Sequence, residues 1–326
     1  MPEIPENRAI LKIAGFLALA GMLTGCSELP KDAPIESVDY RACLVTDGDA
    51  TKPGLADSAV FSLNQAVVTF GIKKKVVESN PSKFVRTIGE LVKSKCDFIA
   101  VVGSRFTALV QPQVEANPGT NFLFVTDGSD RQLLAANLEN LAVYRVDVYE
   151  AGLLAGHLSA SASETHELVV SCRGAVDLRY FDGVRAGARA FDAEAQTSTT
   201  VNSSGALLEN PDVMLVYGCR DEIPTNGDDL ARFKLVGYGL DLFFDPAIEI
   251  AKPSVLATVI PQAGARLLEA IGADLESEFI GGTLGSTVAS YGNGGLIISD
   301  EHLVAYPAGE LEKLKVLAEE YETTFK

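Results

Sequence analysis

Asp97-Phe98-Ile99-Ala100-Val101-Val102-Gly103 is an unbroken apolar run between a carboxylate and a glycine. A strand with one wet face alternates polar and apolar residues. A strand apolar at every position is covered on both faces, as in parallel sheets flanked by helices. Outward from this run the pattern repeats. On the N-terminal side lie a strand at Asp39–Thr46, a helix from Ala56 to Thr69, a strand at Lys74–Glu78 and a helix from Pro81 to Lys95 whose Phe84, Ile88, Leu91 and Val92 share one face. On the C-terminal side a helix over Phe106–Asn117 is followed by strands at Asn121–Val125 and Leu141–Val146.

The alternation restarts with a helix over Glu150–Ser163, a strand at Glu167–Ser171, a helix over Phe181–Phe191, and strands at Gln196–Val201, Val213–Tyr217 and Phe233–Gly237. Two doubly wound α/β lobes in tandem are the expectation, each built on a parallel sheet. Ser254–Val259 and the Gln262–Ala273 helix read as a crossover back to the first lobe. A closing β pair follows around Gly282–Ile298, and Ala308–Phe325 is an acidic amphipathic helix. The expected organisation is residues 39–145 with 253–282 in the first lobe, 146–252 with 283–300 in the second, and a C-terminal helix over 301–326.

Ahead of the lobes, Arg8 and Lys12 precede an apolar stretch, Ile13–Met22, that ends in Leu23-Thr24-Gly25-Cys26. A basic start, a short apolar core and small residues at a cleavage point mark a secretory signal over residues 1–25. The final four residues resemble a bacterial lipobox, which makes Cys26 the acylated first residue of the mature chain. An uncleaved anchor, or a plain signal with an incidental Cys26, is the alternative. Residues 26–38 then read as a polar, proline-bearing tether. The expected location is the extracytoplasmic face of the cell membrane, held by lipid alone.

The formal net charge of −17 survives removal of residues 1–25, because Arg8 and Lys12 leave with Glu3 and Glu6. Such acidity excludes nucleic acid as a partner. Within it, Lys73–Lys75 reads as a solvated strand start. Four further cysteines, Cys43, Cys96, Cys172 and Cys219, permit disulfides in an exported protein. In a doubly wound sheet the first and third strands are neighbours, which favours Cys43–Cys96 and Cys172–Cys219. Buried free thiols are the alternative.

Ligands of open α/β sheets meet the carboxyl ends of the strands. Those ends carry Asp47-Gly48-Asp49, Gly103-Ser104-Arg105, Asp127-Gly128, Cys172-Arg173-Gly174, Gly218-Cys219-Arg220-Asp221 and Gly239-Leu240-Asp241. Asp47, Asp57, Gly103, Ser104, Asp127, Tyr217, Arg220 and Asp241 are the candidate ligand-binding residues, with Tyr217 as the aromatic able to stack on a ring. Enzymatic readings lack residues. His157, His166 and His302 have no metal-ligand spacing, and no nucleophile elbow, P-loop or dinucleotide fingerprint follows a strand. His157 reads as a helix residue at a domain contact. No metal or cofactor is expected.

Four stretches resemble the basic membrane protein family, the purine-nucleoside-receptor type of ABC-transporter solute-binding lipoprotein. They are Tyr40–Asp47, Asp97–Gly103, the helix start Val146–Gly156 with its Glu150-Ala151-Gly152, and the Phe279-Ile280-Gly281-Gly282 turn. The resemblance implies a type I periplasmic-binding-protein fold, two lobes joined by a multi-strand hinge. It also implies an ABC permease partner, a small-molecule ligand and a monomeric protein without enzymatic activity. The departures fall on ligand contacts. Leu55 and Ala56 stand where the family carries Phe and Asn, Gly239 stands for an Asp that binds ribose, and Pro261 stands for a lysine on the crossing strand. A purine nucleoside is the ligand the family implies. A sensor or scaffold of the same fold that has lost nucleoside binding is the alternative those departures leave open.

Overall fold

Every residue of the Phe98–Val102 strand is buried, and so are five of the six residues of the first strand. The computed structural model describes residues 38–47, 54–127, 138–171, 177–199, 210–217, 233–239, 242, 252–299 and 309–325. Their order is β1 (Arg41–Thr46), α1 (Leu55–Phe70), β2 (Lys73–Glu78), α2 (Phe84–Lys93), β3 (Phe98–Val102), α3 (Thr107–Ala116), β4 (Asn121–Thr126), β5 (Leu141–Val146) and α4 (Val148–Ala162). Then come β6 (Glu167–Ser171), α5 (Leu178–Phe191), β7 (Gln196–Thr199), β8 (Val213–Tyr217), β9 (Lys234–Tyr238), β10 (Val255–Pro261), α6 (Gly264–Leu275), the short α7 (Gly282–Gly285), β11 (Thr287–Ala289), β12 (Leu296–Ser299) and α8 (Glu310–Phe325).

These strands form two six-stranded sheets, β2-β1-β3-β4-β5-β11 and β7-β6-β8-β9-β10-β12. All pairs are parallel except β10 with β12. Successive side chains of a strand point to opposite faces. Ala42 and Leu44 of β1 join Phe98, Ala100 and Val102 of β3 on the α1–α6 side. Cys43, Val45, Ile99 and Val101 face the α2–α3 side. Both layers are apolar, which is why the strands read as continuous hydrophobic runs.

Three passages link the lobes. β5 of the first sheet leads into α4, which packs on β8, β9 and β10 of the second; β10 leads back to α6, which packs on α1, β3 and β4; and β11 leads to β12. The expected boundaries are corrected accordingly. Val255–Pro261 is a strand of the second lobe, and only α6 returns. The closing β pair is no pair, since β11 extends the first sheet and β12 the second. All seven residues of β10 are buried, as befits an internal strand between β9 and β12. The polar crossing turn at Tyr291–Gly295 separates the last two strands.

Helices α4 and α5 approach so closely that glycine is required at four positions. A Cβ on Gly152 or Gly156 would come within 2.1 Å of the carbonyl oxygens of Tyr180 and Val184, and one on Gly187 within 1.9 Å of Leu153 O. Gly183 stands equally close to Tyr149 O. The Glu150-Ala151-Gly152 motif therefore has a packing reason for its glycine.

Cys43 and Cys96 form a disulfide, with their Cα atoms 5.9 Å apart. Cys43 is in register with Ile99 rather than Cys96, so the two half-cystines are not level on adjacent strands. The bridge ties β1 to the turn that follows α2. Cys26, Cys172 and Cys219 lie outside the described residues.

Candidate functional site

At the carboxyl ends of the first sheet, Asp47 follows β1 and its N–H donates to Val102 O at 3.0 Å, which holds it beside the end of β3. Its carboxylate lies over Gly103: a Cβ there would stand 1.9 Å from Asp47 Cγ, and the glycine has φ +126°. Only glycine meets both conditions. The Asp47 carboxylate accepts from Arg105 N at 3.3 Å and Arg105 Nε at 3.4 Å. Ser104 donates to the carboxylate of Asp127, the first residue after β4. Burial raises the Asp127 carboxyl above its ordinary range. The Ser104 bond opposes that shift, and the nearby charges of Asp47 and Asp177 add to it.

The second sheet ends in aromatic residues. Tyr217 closes β8 and Tyr238 closes β9, in register with each other. Their rings stack at 5.4 Å, and Tyr180 of α5 packs against both, at 4.6 and 4.9 Å. The hydroxyl of Tyr217 accepts from the N–H of Asp177, the N-cap of α5. Tyr180 and Tyr238 have buried hydroxyls that find no partner among the described residues. Burial raises all three phenols, and the charge of Asp127 raises Tyr217 and Tyr238 further. A carboxylate from one sheet thus lies within electrostatic reach of phenols from the other. Tyr180 and Tyr238 are buried behind the partly exposed Tyr217, so the set offers one aromatic ring beside carboxylate acceptors, which is chemistry for holding a polar ring.

The structure brings Asp47, Gly103, Ser104 and Asp127 together on one sheet and places Tyr217 opposite. Asp57 lies in the first turn of α1, where burial raises its carboxyl. Arg220 and Asp241 lie outside the described residues. Sequence reasoning missed Tyr238, Tyr180 and Asp177. Tyr238 carries the same strand-end signal as Tyr217, and Asp177 before a helix is an N-cap signature.

A passage between the lobes runs beneath the site. Asp147 caps α4, accepting from Tyr149 N and Glu150 N, while its own N–H donates to Ala289 O at 2.9 Å. Buried Glu150 accepts from Tyr291 N at 3.1 Å, and Gln262 N donates to Gly295 O at 2.9 Å. These bonds tie the three passages together. From α8, Tyr321 donates to Asp147 at 3.3 Å and stacks on Tyr149. His157 is buried between α4 and α8, with Nε2 3.5 Å from Glu310 and its ring edge-on to Phe191. Burial lowers its pKa, against the pull of Glu310. Among the described residues no group of His, Cys, Asp and Glu could hold a metal ion, and no helix is long and apolar enough to cross a membrane.

Two parallel-sheet lobes with three passages, and functional groups at facing strand ends, define the type I periplasmic-binding-protein class. An ABC transporter system solute-binding protein from Conexibacter woesei matches with a TM-score of 0.70 at 12% identity, covering 87% of this chain and 96% of that one. A carbohydrate transporter solute-binding protein from Agrobacterium radiobacter, solved with D-arabinose, matches with a TM-score of 0.57 at 12% identity over 86% and 99% of the two chains. A transcriptional activator of the comK gene from Bacillus halodurans has a TM-score of 0.64 at 16% identity over 88% and 99%. At these identities the likeness is one of fold. No curated protein matches the chain. The profile of the Bmp family, described as ABC transporter substrate-binding protein PnrA-like, matches residues 41–204, and the chain belongs to that family. The family is one of binding proteins rather than enzymes.

Proposed function

We propose that this protein is the lipid-anchored, extracytoplasmic solute-binding component of an ABC importer, acting as a monomer. It holds a small polar ring, a purine nucleoside in the first instance, between Asp47, Ser104 and Asp127 of one lobe and Tyr217 of the other, with Tyr238 packed behind Tyr217. The observation that carries the proposal is the juxtaposition of the Asp127 carboxylate with phenols of the opposite sheet. Tyrosine faces stack on rings, and each aromatic pair contributes about 0.5–1.5 kcal/mol beyond burial. Carboxylates accept from hydroxyl and amino groups.

One observation favours a second reading. Leu55, which stands where the family carries an aromatic ligand contact, packs against the hydrophobic core. A protein that keeps the fold as a sensor or scaffold without nucleoside binding fits that loss. A thermal-shift panel of nucleosides, bases, sugars and amino acids separates the two. A true ligand at 100 times its Kd stabilises by about 2.7 kcal/mol, and Tyr217→Ala abolishes the gain. Silence for every nucleoside, with the protein folded, overturns the nucleoside assignment and leaves the second reading.

A further inference from the structure

We propose that the basic face formed by β2 and α2 docks on anionic phospholipid, setting the first lobe against the membrane with its ligand site turned away. This inference rests on the lipid-anchor reading above. Residues 71–97 carry seven Lys and Arg against three Asp and Glu, a net +4 in a chain of −17. All seven cations are exposed.

Lys74 donates to Asn64 of α1 on the other side of the sheet; the other six lie along β2, α2 and the turns that flank them. Lys73 pairs with Asp39 at 2.7 Å, and both line a polar pocket with Arg41, Lys95 and Asp97. Alongside, Arg86 pairs with Glu90 at 2.8 Å, and Glu90 lies in the fields of Lys75 and Lys93 as well. Lysines on an edge strand such as β2 deter edge-to-edge pairing. That accounts for Lys73–Lys75 but not for the cations on α2 and in the turns around it. Among the cations of α2, Val85 is 54% exposed, an apolar group suited to the headgroup boundary.

Two observations select lipid as the occupant. The rest of the chain is acidic on balance, so an anionic surface repels most of it, and this face with net +4 is the stronger attraction beside α5, whose Arg179, Arg185 and Arg189 against Asp182 give net +2. The described chain begins at Val38, next to the Asp39 paired with Lys73. The eleven residues between Val38 and Cys26 span about 40 Å at most when fully extended. On the lipoprotein reading, Val38 therefore stays within that reach of the bilayer. Arg41, Lys73 and Lys95 sit at or before the amino ends of parallel strands whose carboxyl ends carry Asp47, Ser104 and Asp127. Docking on this face leaves the site open to solvent.

The test uses full-length, lipidated protein on vesicles of phosphatidylcholine alone or mixed with phosphatidylglycerol, probed by flotation and by an amine-reactive label read by peptide mass spectrometry. Labelling of Lys75, Lys83 and Lys93 is expected to fall severalfold only on the mixed vesicles and to recover in high salt, while Lys234 and Lys315 are unchanged. The Lys75→Glu/Lys83→Glu/Lys93→Glu variant loses the lipid-dependent protection of the remaining lysines; Lys315→Glu does not. Protein that floats with both vesicles and labels equally on both overturns the docking face and leaves the anchor standing. Flotation with mixed vesicles alone, with protection, supports the face and overturns the anchor. Flotation with neither overturns both.

Discussion

Gly187→Ala adds one methyl group where α5 meets α4, and the structure sets its cost. The new Cβ would stand 1.9 Å from Leu153 O and 2.7 Å from Leu153 C, distances that real Cβ atoms do not show. Both obstacles are backbone, so no side chain can swing aside. The helices must part by about 1 Å, across a contact where Gly152, Gly156 and Gly183 are seated just as tightly. Overpacking of this kind costs about 1–3 kcal/mol, against a helix-propensity gain of about 1 kcal/mol for replacing glycine. The expected net effect is a loss of up to about 2 kcal/mol. Gly89→Ala is the control: it lies in α2, and its Cβ would meet nothing within 4 Å. That substitution is expected to stabilise by about 0.5–1 kcal/mol. Urea unfolding of wild type and both variants reads the two signs. Because α5 carries Tyr180, Gly187→Ala also disturbs the packing beneath Tyr217 and Tyr238 and weakens ligand binding. A Gly187→Ala protein as stable as Gly89→Ala would refute the close-packing argument.

Opening the Cys43–Cys96 bridge, which spans 53 residues of sequence, removes up to about 4 kcal/mol by the chain-entropy relation. Reductant should shift the denaturation midpoint of the wild type and not of the Cys43→Ser/Cys96→Ser variant; a midpoint indifferent to reductant refutes it. Tyr238→Phe deletes a buried hydroxyl that has no partner among the described residues, so the unliganded protein keeps its stability or gains up to about 1 kcal/mol. A marked loss in calorimetry would show that the hydroxyl is bonded. His157 has a folded pKa below its unfolded value, so its contribution is present above the unfolded pKa of about 6.5 and is lost as pH falls from there towards the folded value. The stability difference between wild type and His157→Gln should therefore shrink from pH 7.5 to 5, and growth of that difference on acidification contradicts the assignment. Cys26→Ser should abolish metabolic labelling by a fatty acid, and equal labelling of both proteins ends the lipoprotein reading.

The fold was legible because burial on both faces leaves an unmistakable trace: Phe98–Val102 can be nothing but an internal strand. Which sheet a strand joins leaves no such trace. Val255–Pro261 is as fully buried as Phe98–Val102, and nothing in its residues says that it lies beside β9 rather than returning to the first lobe. Half of the site was readable on the same ground. Strand ends expose the next residues, so Asp47, Ser104, Asp127 and Tyr217 followed from the strand positions. Tyr180 was hidden because it reaches the aromatic cluster from a helix, and Asp177 because capping explains it before function does. Asp57 was placed by a family pattern whose neighbours, Leu55 and Ala56, no longer follow it.

Asp47, Asp127 and Asp177 converge where the two sheets' strand ends meet, and that convergence bears on how the proposed binding would work. Like charges in a shielded site raise one another's pKa and oppose burial. Bringing the lobes together over an empty site removes water from Asp127 while two other carboxylates remain near it, so the closed arrangement is disfavoured until something neutralises the charge. A proton can do so, which is the direction in which Asp127 is already shifted. A ligand rich in hydroxyl or amino donors does it better, because it bonds the carboxylates and covers the tyrosine rings at once. In that closure the three tied passages at Asp147–Ala289, Glu150–Tyr291 and Gln262–Gly295 would keep the lobes in register. On the proposed binding function, the carboxylates are what would make closure report the presence of solute: a ligand shifts an open–closed equilibrium only by its differential affinity for the two states, and neutralising the carboxylates would supply that difference.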